Sequence, residues 1–149
     1  MRVAVAGDHA CFALKQMLAE QLRREGHEVS DLGAFNAERS DYPDFAQAVG
    51  EALQQGRDER GIVICGSGVG ACIAANKMRS IRACVCHDTY SAHQGIEHDD
   101  MNVICLGGQV LGNALARELL ETFLAARFTG EERHTRRLKK IADLEQGQQ

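Results

Sequence analysis

Short apolar runs alternate with stretches that carry apolar residues at helical spacing, and this alternation constrains the fold more than any other feature of the chain. Residues 3–6, 28–32, 61–65, 81–86 and 102–106 read as buried strands. Leu14, Met17, Leu18 and Leu22 share one face of a helix stopped by Gly26, and Phe45, Val49, Ala52 and Leu53 share a face of a second that ends at Gly56. A short helix runs to about 76, another spans about 88–96, and Leu111, Leu115, Leu119, Leu120 and Phe123 mark the next. Residues 131–145 form a last, strongly charged helix. Strand and helix in strict alternation predict an α/β fold with a parallel sheet and helices on both faces. Right-handed crossovers make it a Rossmann-like, doubly wound, five-stranded sheet in a three-layer α/β/α sandwich. The 149 residues fit a single domain, 1–149. A domain of this size buries roughly 68–70% of its unfolded surface and needs no disulfides.

Net charge is −4, which argues against general nucleic-acid or anionic-membrane binding. No window approaches 18 apolar residues, and the N-terminal apolar run is too short for a signal peptide. None of the six cysteines lies in a CxxC pair, and most fall in strand-like runs where a free thiol acts as a small hydrophobe. The expectation is a reduced, cytoplasmic protein.

In open parallel sheets ligands bind beyond the C-terminal ends of the strands. Two strand ends carry unusual polar residues, Gly7-Asp8-His9 and Cys65-Gly66-Ser67-Gly68-Val69-Gly70. A third group, Glu97-His98-Asp99-Asp100, reads as part of the connection from strand four to strand five. Glycines after Cys65 let backbone N–H groups approach a ligand, and a helix start there favours negative charge and a thiolate. A thiolate beside an anion-binding loop suits a reaction through an oxyanion such as an enediolate; the plain alternative is a buried thiol before a glycine turn. The loop lacks the lysine of a P-loop and the GxGxxG spacing of a dinucleotide fingerprint. Asp8 fits a helix cap as well as a functional carboxylate, whereas His9 in a ligand crevice can hold an anion or move a proton. His87, Asp88, His93, His98, Asp99 and Asp100 have metal-ligand chemistry, but their spacing matches no metal motif, and no metal is expected. Arg133 and Arg137, four apart, share a helix face that would clamp a phosphate or simply stay solvated.

Gly7-Asp8-His9-Ala10, Asp41-Tyr42-Pro43-Asp44, Cys65-Gly66-Ser67-Gly68, Asn76-Lys77, His87-Asp88, Glu97-His98 and Asn102-Val103 follow in order along the chain, closed by the paired arginines. Together they resemble the family of type B ribose-5-phosphate isomerases and galactose-6-phosphate isomerase subunits. The resemblance implies interconversion of ribose 5-phosphate and ribulose 5-phosphate, a reaction of the pentose phosphate pathway, without metal or organic cofactor. It implies a homodimer, or a tetramer of paired dimers, with sites built from both protomers. It makes Cys65 the proton-transfer base. Gly66, Ser67, Gly68, Val69 and Gly70 become the enediolate pocket, and His98 with Asp8 the ring-opening groups. His9, Arg133 and Arg137 would hold the phosphate, and Tyr42 would line the site. Some members use a glutamate as base where Ala71 stands here, which leaves the cysteine route. Ser67 replaces a common threonine, Cys11 a common glycine, and Asp99 an asparagine that contacts the sugar. The last change bears on the substrate more than on the reaction. Allose 6-phosphate, galactose 6-phosphate, a tetrose phosphate, or non-catalytic phosphate binding are the alternatives.

Overall fold

The structure, a computed structural model, describes residues 1–147. Five parallel strands, β1 (Arg2–Gly7), β2 (Glu28–Asp31), β3 (Arg60–Cys65), β4 (Ala83–Val85) and β5 (Val103–Gly107), form one sheet in the order β2-β1-β3-β5-β4. The helices are α1 (Phe12–Arg24), α2 (Tyr42–Gln54), α3 (Val69–Ala75), α4 (Thr89–Asp99), α5 (Asn113–Ala125) and α6 (Glu132–Gln146), with a 3₁₀ turn at His9–Cys11 before α1. The chain steps from β1 out to β2 and back past β1 to β3, which puts the switch point between β1 and β3. It then skips to β4 and returns to β5. With right-handed crossovers, each reversal sends the next helix to the opposite face. The doubly wound, three-layer arrangement expected from the alternation is the one observed.

The two faces are built differently. Alternate strand residues Val3, Val5, Ile62, Ile64, Ile104 and Leu106 pack under Leu18, Leu22, Ile96, Leu119 and Phe123 from α1, α4 and α5. The opposite positions Ala4, Ala6, Val63, Cys65, Val103 and Cys105 meet Ala46, Val49, Ala52, Ala71 and Ala75 from α2 and α3. Small residues bring this second layer close. A Cβ on Gly61 would collide with Val49, and one on Gly50 with Met78. This is the layer that delivers Cys65 to the C-terminal edge of the sheet.

Two sequence expectations are corrected. The fourth strand is Ala83–Val85 rather than 81–86, because the Asn102 side chain takes the Arg82 N–H at 2.8 Å and ends the ladder at its start. The helix expected to end near 96 continues to Asp99, so Glu97, His98 and Asp99 form its last turn and are not loop residues. Asp88 caps its start by accepting from Ser91 N–H at 2.7 Å. Asp100, left-handed at φ 47°, ends it with its N–H on the Gly95 and Ile96 carbonyls. Asp tolerates that conformation better than most side chains.

Lys15 is fully buried and ties the β2–α2 connection to α1. Its Nζ donates to Asp31 Oδ1 at 2.6 Å and to the Ala34 carbonyl at 2.8 Å, beneath the rings of Phe12 and Phe35. The tethered segment in turn pairs with the end of β1, Gly7 N–H to Gly33 O and Ala34 N–H to Gly7 O. Breaking a buried ion pair from one side strands the other charge. Lys15→Met is therefore expected to lower unfolding free energy by about 3 kcal/mol, read as a shift in the urea midpoint at unchanged m-value.

Candidate active site

At the C-terminal edge of the sheet the first two polar strand ends meet across the β1–β3 switch point, where Asp8 N–H donates to the Ile64 carbonyl at 3.1 Å. Cys65, the last residue of β3, is buried, and its Sγ accepts from the Gly68 N–H at 3.2 Å. Ser67 Oγ accepts from Val69 N–H at 3.3 Å. The 66–70 loop is stapled to the turn after β5, with Gly108 N–H on the Cys65 carbonyl and Gln109 N–H on the Gly66 carbonyl. Gly68 is left-handed, at φ 81°, and a Cβ there would meet the Leu106 and Gly107 backbone at 3.0–3.3 Å. The Tyr42 ring lies against Gly70, leaving no room for a side chain at that position. Because α3 has seven residues, the loop's own N–H groups, more than a helix end, are the available donors.

Asp8 is nearly buried and caps the 3₁₀ turn through Oδ1 on the Ala10 N–H at 3.1 Å. His9 Nδ1 lies 3.1 Å from the Ser40 amide nitrogen and 3.2 Å from the Ser40 carbonyl oxygen, contacts that anchor the ring to the β2–α2 connection. Cys11 is packed into the core beneath Gly108 and does not narrow the crevice. Burial first, then the Asp8 carboxylate and Cys65, push its thiol up to about 11, so it stays protonated.

The remaining predicted residues are elsewhere. The strands run four rungs between the Gly61–Val103 and Cys65–Gly107 pairs, about 13 Å at the rise of a parallel strand. α4 descends from the C-terminal edge at Thr89 and delivers His98 and Asp99 to the N-terminal edge, just ahead of β5. α6 joins them there. His98 and His134 stack with ring centroids 4.1 Å apart, and Thr129 N–H bonds the Glu97 carbonyl. Arg133 and Arg137 are exposed on the same helix, with Arg133 Nε on Glu131 at 2.8 Å. Asp99 lines a cavity of about 510 Å³ with Arg82, Cys84 and Gln94, and no residue of the Cys65 group borders it. Within one chain the expected residues therefore form two groups at opposite edges of the sheet.

The family profile described as Ribose/Galactose Isomerase matches residues 3–141. The chain belongs to this family. Ribose-5-phosphate isomerase B of Escherichia coli (strain K12) is 41% identical over 145 residues, covering 97% of each protein. D-erythrulose-4-phosphate isomerase of Pectobacterium atrosepticum is 39% identical, covering 87% of this chain and 86% of the relative. The ribose-5-phosphate isomerase B structure from Clostridium thermocellum superposes with a TM-score of 0.97 at 43% identity over the full length of both chains. The protein is a sugar-phosphate isomerase of the ribose/galactose isomerase family.

Three residues beside these groups make contacts that the sequence did not announce. His87 Nε2 accepts the Gly107 N–H at 3.1 Å and so ties the end of β4 to the turn beneath the glycine loop. Gln109 lies over Gly66. His134 backs His98. An imidazole next to Arg133 and one turn before Arg137 was the signal for His134, masked by the charge of its helix.

Gly68→Ala adds a methyl where both φ and space forbid it. It is expected to cost about 1–3 kcal/mol of stability and to lower isomerase kcat at least ~10-fold by moving the N–H that holds the Cys65 sulfur. Gly66→Ala, whose Cβ would have no atom nearer than 3.8 Å, should unfold like the parent. Urea titration and steady-state rates of the two variants check both statements.

Proposed function

We propose that the protein interconverts ribose 5-phosphate and ribulose 5-phosphate through an enediolate, with Cys65 as the base. The observation that carries this reading is the strand-end thiol held at 3.2 Å by the Gly68 N–H, inside a loop whose glycines crowd against β5. In its thiolate form Cys65 takes the proton from C2 of the open-chain aldose. The C1 oxygen becomes an oxyanion that the N–H groups of 66–70 and the Ser67 hydroxyl stabilise. A proton moves from O2 to O1, Cys65 returns its proton to C1, and the ketone forms at C2. Before this the furanose must open: O1 loses its proton, the C1–O4 bond breaks, and O4 gains a proton. His98, helped by Asp8, serves that step. His9, Arg133 and Arg137 hold the phosphate, and Tyr42 closes the wall beside the loop. The reading uses no metal or organic cofactor, and cysteine usage suits the cytoplasm.

Half-sites at opposite edges of the sheet support a homodimer, single or paired into a tetramer, in which His98, Asp99, Arg133 and Arg137 of one protomer face Cys65 of its partner. A second reading keeps this chemistry and changes the sugar. Asp99 offers acceptors where a family asparagine also offers donors, and two relatives bear the name of a tetrose-phosphate isomerase.

The test is an isomerisation assay of chelator-treated protein on ribose 5-phosphate, allose 6-phosphate, galactose 6-phosphate and erythrose 4-phosphate. Turnover of ribose 5-phosphate is expected, falling by about 10²–10⁴-fold in Cys65→Ser, because loss of a general base costs that much. Turnover of a different sugar alone moves the substrate and keeps the base. Near-normal rates in Cys65→Ser overturn the base assignment.

Shared sites have their own test. Cys65→Ser and His98→Ala, each inactive alone, should regain about a quarter of parental activity when co-refolded, since half of the dimers then carry one intact site of two. A mixture as inactive as its components returns the site to a single chain.

A further inference from the structure

His134 is 1% exposed, and neither ring nitrogen has a hydrogen-bond partner among the described residues. Burying a polar group without a partner costs roughly 1–3 kcal/mol, so a histidine in this position calls for a reason. Its one specific contact is the face of His98, stacked at 4.1 Å with 23° between the ring planes. On the other side, the Gln94 side-chain nitrogen lies 2.9 Å from His98 Nδ1, one turn back on α4. With that amide donating to Nδ1, the His98 proton resides on Nε2, and Nε2 is 4.0 Å from the nearest carboxylate oxygen, on Glu97. Stack and amide together fix the plane and the tautomer of His98 and leave Nε2–H as its working group.

We infer that His134 is a positioning residue for the ring-opening step, a wall that locks the His98 imidazole with its Nε2–H presented to the sugar. This rests on the role proposed for His98 above. The groups facing the pair are His93, Glu97 and Gln94 from α4, and Glu131, Arg133 and Arg137 from α6 and the segment before it. Burial, with His98, Arg133 and Arg137 adding to it against Glu131, holds His134 below the ordinary histidine range. It therefore stays a neutral ring, and its stacking does not set one cation against another when His98 gains a proton.

Substrate chemistry supplies a discriminating readout. Ribose 5-phosphate is cyclic and must be opened. Ribulose 5-phosphate has its O5 blocked by phosphate, cannot close a five-membered ring, and arrives open. A defect in ring opening therefore slows net interconversion in both directions, whose kcat/KM ratio the equilibrium constant fixes, but spares exchange of the ribulose 5-phosphate C1 proton with solvent, whereas a defect at the proton-transfer base slows that exchange as well.

The experiment compares the parent with His134→Ala and His134→Phe. In His134→Ala the kcat for net isomerisation should fall ~10-fold or more at little-changed KM, with solvent exchange of the ribulose 5-phosphate C1 proton within ~3-fold of the parental rate. Imidazole ¹⁵N shifts of His98 in the free protein should pass from one tautomer to a mixture. His134→Phe, which keeps a flat ring and removes both unpaired nitrogens, should restore the single tautomer and most of the isomerisation rate. Parental rates and a single tautomer in His134→Ala overturn the inference. So does a His134→Phe protein as slow as His134→Ala but with the parental His98 spectrum, since the nitrogens and not the wall would then be required. Because the spectra need no substrate, they test the stack even where the substrate assignment fails. Loss of C1-proton exchange as large as the loss of turnover, with an unmoved spectrum, would leave positioning of His98 refuted and the base assignment intact.

Discussion

The glycine loop touches the end of β5 backbone to backbone, and the chemistry at this edge depends on that approach. A Cβ at Gly107 would meet the Ser67 carbonyl at 2.8 Å, and one at Gly68 would meet Leu106 and Gly107. Side chains would push the loop outward, separating the Gly68 N–H from the Cys65 sulfur and the Gly108 N–H from the Cys65 carbonyl. The same economy recurs one strand away, where a Cβ at Gly7 would meet the Ile64 carbonyl at 2.8 Å. β1, β3 and β5 can therefore end side by side with their loops in contact. The switch point becomes a floor of closely set N–H groups rather than an open cleft.

The layer beneath the loop follows the same constraint. Alanines and cysteines on the α2–α3 side draw these helices close, whereas leucines, isoleucines and Phe123 fill the α1–α4–α5 side. Large residues on the second face would lift α3 and carry Val69 and Gly70 away from Tyr42. Apolar burial stabilises both faces at about 25 cal/mol per Å². The thick face contributes more area, and the thin face contributes placement. Lys15 and Asp31 extend that placement to the β2–α2 connection, whose Ser40 backbone anchors the His9 ring.

Strand and helix periodicity were legible because each element is built from local pattern, and the strand-end rule located Asp8, His9 and Cys65 at one crevice. What local pattern could not carry was vertical position. Glu97 to Asp99 read as a polar connection because no glycine or proline announced the end of α4. That end is made by Asp100 adopting a left-handed conformation, a choice its sequence does not advertise. With the end of α4 placed three residues too early, the distance from His98 to Cys65 stays hidden. His134 was invisible for a related reason. In a helix dense with Arg, Lys and Glu, one buried imidazole has no periodic partner to mark it, and only the approach of α4 and α6 removes it from water.

The separation of half-sites also bears on how such a protein changes substrate. On the proposed reading, the base and oxyanion loop are bound to the sheet by backbone contacts that tolerate almost no substitution. The recognition groups stand on helix ends and a solvated helix, where Asp99, Arg133 and Arg137 are exposed side chains. Exchanging one of these costs little stability, because surface positions away from buried networks usually shift it by no more than about 0.5 kcal/mol. Sugar length and stereochemistry can thus drift at the N-terminal edge while the proton-transfer edge stays unchanged. On that reading Asp99, exposed at the end of α4, is a position of this kind. His134 marks where that freedom stops, because it is the buried residue through which the exposed helix still governs the geometry of a reacting group.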